Sequence, residues 1–284
     1  MDNSWIYFTI LTIALWGVGQ IFIKKGFTRI TTLWTVVISA TINLIIYVPF
    51  ALSQGAVFKI DSAAALLMFI ITFFYILFFY AIEKGQISFS GTIYATYPVT
   101  TIILSSLFLG ESISSLQTLS IVFVMTGTIL LSIFAKDVKS KQKIKLIWIT
   151  WAVLGAVTTG AADFLAKFVI ADTSVNTYNL FYPLFYILSL AAFWMIDKKG
   201  RTLPKKIKFN DLKFTIVGIT MLTCGMLSFN YALSFGKASL VAPLSSAYVA
   251  ITIILAYFFL HESINRKQLI ALAVIGFGII LIGL

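Results

Sequence analysis

Residues 80–113 read YAIEKGQISFSGTIYATYPVTTIILSSLFLGESI, and residues 231–264 read YALSFGKASLVAPLSSAYVAITIILAYFFLHESI. Offset by 151 residues, the two stretches agree at 14 of 34 positions. The matches include Tyr80 with Tyr231, Gly85 with Gly236, Ser88 with Ser239, Tyr97 with Tyr248, and Glu111-Ser112-Ile113 with Glu262-Ser263-Ile264. Apolar segments resemble one another by composition alone. Composition does not place a glycine, a glutamate and two tyrosines in one register, so the chain is read as a duplication.

What is duplicated follows from composition. Hydrophobic types make up 60% of the 284 residues, charged types 11%, and the mean hydropathy is +1.00. A soluble domain carries roughly a quarter charged residues. About 20 apolar residues cross the hydrocarbon core as a helix. Blocks of that kind predict ten spans, at 4–23, 31–53, 62–82, 88–109, 115–135, 146–170, 174–196, 211–234, 238–260 and 267–284. Backbone groups in lipid must be satisfied internally, which makes these spans helices. The block after Met1-Asp2-Asn3 has no basic run before it and reads as a retained span rather than a signal peptide. Residues 1–135 and 146–284 then form two five-helix halves, joined by the basic linker Lys136–Lys145. The expected fold class is an all-α membrane protein of ten transmembrane helices in two inverted five-helix repeats.

The inversion follows from five being odd, because the second half must enter the membrane from the opposite side. Two oppositely oriented copies of one bundle can exchange conformations, a property useful to a carrier. Of the 21 Lys and Arg residues, 18 lie in or bordering connectors 1–2, 3–4, 5–6, 7–8 and 9–10 (Lys213 and Lys267 among the first residues of the spans that follow), 2 lie in the other connectors, and Lys167 lies well within a span. The positive-inside rule then puts both termini outside. Basic residues so placed set topology and touch anionic headgroups. The net charge of +11 is therefore assigned to membrane lipid, with no nucleic-acid partner. Cys224 is the single cysteine, and no cluster of His or Cys offers a metal site. No cofactor is expected.

Ionisable groups inside spans are functional candidates by default. Asp163 and Lys167, four apart in span six, share a helix face and could pair. Asp163 is the coupling candidate, as a proton or cation site or the partner of a substrate amine. The competing reading is an ion pair near the interface, with Lys167 reaching outward. Trp16-Gly17-Val18-Gly19-Gln20, leading to Lys24, echoes Thr159-Gly160-Ala161-Ala162-Asp163, leading to Lys167. Gln20 thus matches Asp163 on a related helix, which fits either a central cavity or interhelical hydrogen bonding.

Spans three, four, eight and nine add Tyr80, Tyr94, Tyr97, Asn230, Ser245 and Tyr248 as cavity candidates, with core packing as the alternative. Tyr7 and Tyr178 suit an interfacial belt. Pro98 falls inside span four, where it would free a carbonyl, and Pro243 falls early in span nine, where it is nearer harmless. Glu111 and Glu262 precede spans five and ten, where acids favour the positive helix end. His261 has no acid or nucleophile beside it in the sequence. An enzyme needs a convergent acid, base or nucleophile set, which these residues do not supply, and no Walker-type phosphate loop is present.

With Trp16-Gly17…Lys24, Tyr80-Ala-Ile-Glu-Lys-Gly85, Phe108-Leu-Gly-Glu111-Ser-Ile113 and their second-half echoes, the chain resembles the EamA family of the drug/metabolite transporter superfamily. The resemblance implies a central cavity lined by the first four helices of each half, with spans five and ten peripheral and available for a homodimer. It implies a multi-pass protein of the cell (plasma or inner) membrane that carries amino acids or other small metabolites, often outward. Members commonly keep both termini in the cytoplasm, opposite to the charge bias here. Cavity residues under this reading are Trp16, Gln20, Tyr80, Tyr94, Tyr97, Asp163, Asn230, Ser245 and Tyr248. A flippase for a lipid-linked headgroup and a non-transporting structural membrane protein are the alternatives.

Overall fold

A computed structural model describes residues 3–26, 30–84, 95–134, 146–202, 209–260 and 264–282. The basic linker, Tyr94, His261 and Glu262 lie outside the described residues. Those described form helices and connecting turns, with no strand among them. In chain order the helices are α1 (Ser4–Gly26), α2 (Thr32–Ser53), α3 (Ser62–Lys84), α4 (Tyr97–Phe108), α5 (Ser115–Phe134), α6 (Leu146–Asp172), α7 (Val175–Ile196), α8 (Phe209–Phe235), α9 (Ala238–Ser245), α10 (Tyr248–Leu260) and α11 (Arg266–Ile282). Seven segments are long and apolar enough to cross a membrane, one of them running through both α9 and α10, and shorter apolar helices occupy 62–77 and 97–108. Large apolar side chains cover the outside, Leu107 and Phe108 being 73% and 69% exposed. A patch that extensive would drive a soluble protein to aggregate. The chain is an integral, multi-pass membrane protein.

Helix starts are fixed by short polar residues that satisfy the first free N–H groups. The Ser174 hydroxyl accepts from Thr177 N at 3.1 Å, and the Asp61 carboxylate from Ala64 N at 2.7 Å. Reciprocal capping boxes open α5 and α11. Gln117 N donates to Ser114 Oγ while Ser114 N donates to Gln117 Oε1, and Asn265 and Gln268 do the same 151 residues later. The acid expected to serve the start of α5 works elsewhere. Glu111 accepts from Ala238 N, Ser239 N and Ser239 Oγ, at 2.9, 2.9 and 2.6 Å, and so caps α9 in the other half. Gly110, at φ +63°, turns the chain at the end of α4 and so brings Glu111 to that point.

Span nine is not one continuous helix. It breaks at Ser246–Ala247, and a turn at Ala95–Thr96 stands at the matching place before α4. Pro98 therefore lies in the first turn of α4, where its missing N–H costs nothing. Pro243, expected to be harmless, is the proline inside a helix, just ahead of the break. The Ser246 hydroxyl bonds back to Pro243 O at 2.6 Å, which competes with helix continuation.

The most extensive helix pairings come in sets that match when the halves are exchanged. α1 packs on α8 as α3 packs on α6, α1 on α10 as α6 on α4, and α2 on α8 as α7 on α3, while α2 pairs with α7 and α5 with α11. Thr101 donates to Gly160 O at 3.1 Å, and Thr252, its counterpart, donates to Gly17 O at 3.3 Å. Each glycine admits the facing backbone. A Cβ on Gly160 would stand 2.3 Å from Tyr97 O, and one on Gly17 2.5 Å from Ile251 Cγ2 and 3.2 Å from Tyr248 O. Gly127 and Gly278 press in the same way on α11 and α5, so spans five and ten pair within the chain.

Two matched seams are filled differently. Between α1 and α8, a Cβ on Gly19 would meet Gly218 O at 3.1 Å, and one on Gly218 would meet Ile23 N at 2.9 Å. The related α3–α6 seam is bridged instead by side chains, Tyr75 Oη donating to Asp163 Oδ1 at 2.7 Å.

Gly160→Ala should destabilise the protein in detergent by about 2–3 kcal/mol, the cost of overpacking against backbone that cannot yield. Gly276→Ala meets nothing within 4 Å and should leave the melting curve in place. Equal melting temperatures for the two variants would contradict the close approach at Gly160.

Candidate functional site

A cavity of about 140 Å³ lies where the two halves meet. α1, α2, α3 and α4 line it from one half, and α6, α7, α8 and α10 from the other; α5 and α11 contribute nothing among the described residues. Trp16, Gln20, Tyr97, Asp163 and Tyr248 all reach it. Gln20 and Asp163, matched in sequence, therefore share one space. Trp16 is fixed by an Nε1 hydrogen bond to Leu222 O at 3.2 Å and by an edge contact with Tyr248, ring centroids 5.7 Å apart. Tyr97 Oη donates to Ala242 O at 3.3 Å, tying α4 to α9 beside the break.

Asp163 is 2% exposed. Tyr75 supplies one hydrogen bond to its Oδ1, and its Oδ2 has no partner among the described residues. A buried carboxylate so sparsely satisfied is costly to maintain, the arrangement expected of a group held for use. The pairing with Lys167 does not form. Lys167 Nζ donates to Leu233 O at 2.6 Å and Gly236 O at 2.9 Å, neutralising the C-terminal end of α8. Its reach toward a helix end, rather than back along its own helix, leaves Asp163 to Tyr75.

Three expected cavity residues do not line it. Tyr80 stacks on Phe193 at 5.0 Å and donates to Asp197 Oδ2 at 3.0 Å, between α3 and the end of α7. Asn230 donates to Asn179 Oδ1 at 2.8 Å inside the α7–α8 contact. Ser245 is fully buried at the end of α9. Tyr178, expected in an interfacial belt, is also fully buried, whereas Tyr7 is exposed.

The site contains residues that the sequence reading passed over. Tyr182 and Tyr186 of α7 line the cavity, with Ser39 and Asn43 of α2 and Thr223 of α8. Tyr182 lies 6.4 Å from Tyr75 and 5.9 Å from Tyr186, ring to ring, and 5.3 Å from Tyr47. Thr223 Oγ1 donates to Asn43 Oδ1 at 2.9 Å, closing α2 onto α8. The available signal was the spacing of Tyr178, Tyr182 and Tyr186, four residues apart and so on one helix face.

The model of the EamA-like transporter family matches residues 3–133 and 146–284. The chain belongs to this family. An uncharacterized protein of Methanocaldococcus jannaschii is 32% identical over 137 residues, which cover 46% of this chain and 92% of that protein. A crystal structure of another protein matches 99% of this chain and 97% of its own with a TM-score of 0.81, at 14% identity. That likeness is one of fold. The family likewise marks the chain as a membrane transporter of the drug/metabolite type, and its members are transporters rather than enzymes.

Tyr75 and Asp163 make opposite demands on stability. Tyr75→Phe leaves the carboxylate without its donor and should cost about 1–3 kcal/mol. Asp163→Asn keeps an acceptor for Tyr75 and removes a buried charge, so its melting temperature should equal or exceed wild type. A Tyr75→Phe protein that melts with wild type would show that the hydrogen bond carries no stability.

Proposed function

We propose that this EamA-like protein is a secondary carrier that moves a small organic metabolite, an amino acid or similar solute, across the cell membrane by alternating access. The observation that carries the reading is the cavity between the halves. Its walls come from the first four spans of each half, and the most extensive contacts among the helices that form them match when the halves are exchanged. An inverted repeat with its pseudo-two-fold axis in the membrane plane has this property. Exchanging the conformations of two such halves opens the same cavity to the other side at little net cost. The backbone contacts at Gly17 and Gly160 support the reading. They put α4 of one half and α10 of the other against the first helix of the opposite half, each just after a turn, and turns beside a cavity are where transporter backbones can bend. The Methanocaldococcus jannaschii relative, matched over nearly its whole length by less than half of this chain, fits an origin by duplication.

Coupling falls to Asp163, the one carboxylate lining the cavity among the described residues, where Tyr75, Tyr97, Tyr182, Tyr186 and Tyr248 are the other titratable groups. Outward transport follows the family's habit, and the Lys/Arg bias puts both termini outside. α5 and α11 expose Leu119, Val122, Leu269, Ile270 and Phe277 on their outer faces, which lipid or a second copy of the chain would cover.

A cysteine at Met226, placed in a Cys224→Ser background, tests the carrier cycle. Membrane-impermeant maleimide should label it from either side of sealed vesicles, because each conformation opens the cavity one way. Labelling confined to one side under every solute condition would rule out alternating access. A reporter fused to the C-terminus should report the outside of the cell; a cytoplasmic signal would overturn the orientation drawn from charge.

A further inference from the structure

We infer that the cavity selects a compact organic amine, bound as its cation, over an amino-acid zwitterion, an anion or a neutral solute of the same shape. The inference rests on the carrier reading and narrows its solute, from an amino acid or similar metabolite to an amine that carries no carboxylate. Its first basis is Asp163, 2% exposed, lining the cavity, with Oδ2 unpartnered among the described residues. An ammonium beside this oxygen would supply the missing donor and the missing charge together. The second basis is the surrounding rings. Tyr75, already bonded to Asp163, leads to Tyr182 at 6.4 Å and on to Tyr186 at 5.9 Å, while Trp16 and Tyr248, also in the lining, meet edge to face. The faces of Trp and Tyr attract a cation within about 6 Å, more strongly when water is excluded. A carboxylate and a set of electron-rich rings favour the same sign of charge, and neither favours a second anion.

The lining supports the same choice. Its described members include no Lys, Arg or His. The nearest lysine on the Asp163 helix, Lys167, is spent on the carbonyls of Leu233 and Gly236. The carboxylate of a bound amino acid would share a largely apolar cavity with Asp163 without a cationic partner among its described lining, a like-charge arrangement that buried sites disfavour. The volume of about 140 Å³ is below the ~300–1,000 Å³ of drug-sized pockets. It suits a short amine and not a bulky one.

Isopentylamine, leucine and isopentanol share one hydrocarbon skeleton and differ in charge, which makes them the probes. Titrated calorimetrically into the purified full-length protein, isopentylamine should bind at least about tenfold more tightly than leucine or isopentanol. Asp163→Asn should weaken isopentylamine by about 30-fold or more, the scale of a lost buried charge partner. Leucine binding as tightly as isopentylamine would overturn the assignment. So would an Asp163→Asn affinity within threefold of wild type, or the absence of binding by any probe. The comparison among ligands uses wild-type protein alone and so survives a variant that fails to fold. Two failures are distinguishable. Leucine binding, with Met226→Cys labelled from both sides, removes the amine class and keeps the carrier. Isopentylamine binding, with labelling from one side only, keeps the amine site and removes the carrier.

Discussion

The contact on which the arrangement depends is the pressing of one backbone on another at Gly17 and Gly160. In hydrocarbon there is no hydrophobic force to drive helices together, so association relies on close packing and on hydrogen bonds between helices. Both are present at these glycines. The missing side chain lets Tyr248 O or Tyr97 O come to contact distance, and the Thr252 or Thr101 hydroxyl then reaches the glycine carbonyl across the gap. Each contact joins the first helix of one half to the helix that follows the Ala95–Thr96 or Ser246–Ala247 turn of the other. The halves are therefore cross-linked at two related points, and the cavity occupies the space between them.

Around that space the polar groups are sorted by task. Some hold helix ends. Glu111 caps α9, Lys167 closes α8, and the two capping boxes begin α5 and α11. Others bridge helices near the cavity, as Thr223 does with Asn43 and Trp16 with Leu222 O. Asp163 differs from both groups, because it lines the cavity with half of its carboxylate uncommitted among the described residues.

Much of this was legible in the sequence because a repeat is a long-range signal. The 151-residue register brings Tyr97 and Tyr248 to matching positions, the Trp16 and Thr159 segments pair Gln20 with Asp163, and all four reach the cavity. What was not legible depends on which helix faces which. Tyr182 and Tyr186 line the cavity because α7 pairs with α2 between the halves, and neither helix falls in the matched stretch. Tyr178 looked interfacial because it lies near a span's start, but α2 and α3 pack over α7 and bury it. Lys167 and Asp163 are compatible by spacing, and only the approach of the α8 terminus decides against their pairing. Glu111 was read correctly as a group for a helix start, but the start it serves lies in the other half. Pro98 and Pro243 exchanged roles because the turns at Ala95–Thr96 and Ser246–Ala247 are not registered by hydropathy.

The two related seams also differ in what they can tolerate over time. Where α1 meets α8, Gly19 and Gly218 bring main chain against main chain, and any added atom has to displace a backbone. Where α3 meets α6, a phenol and a carboxylate span the gap, so bulk can change there provided donor and acceptor remain. Descendants of such a chain can vary the second seam by chemistry and the first hardly at all.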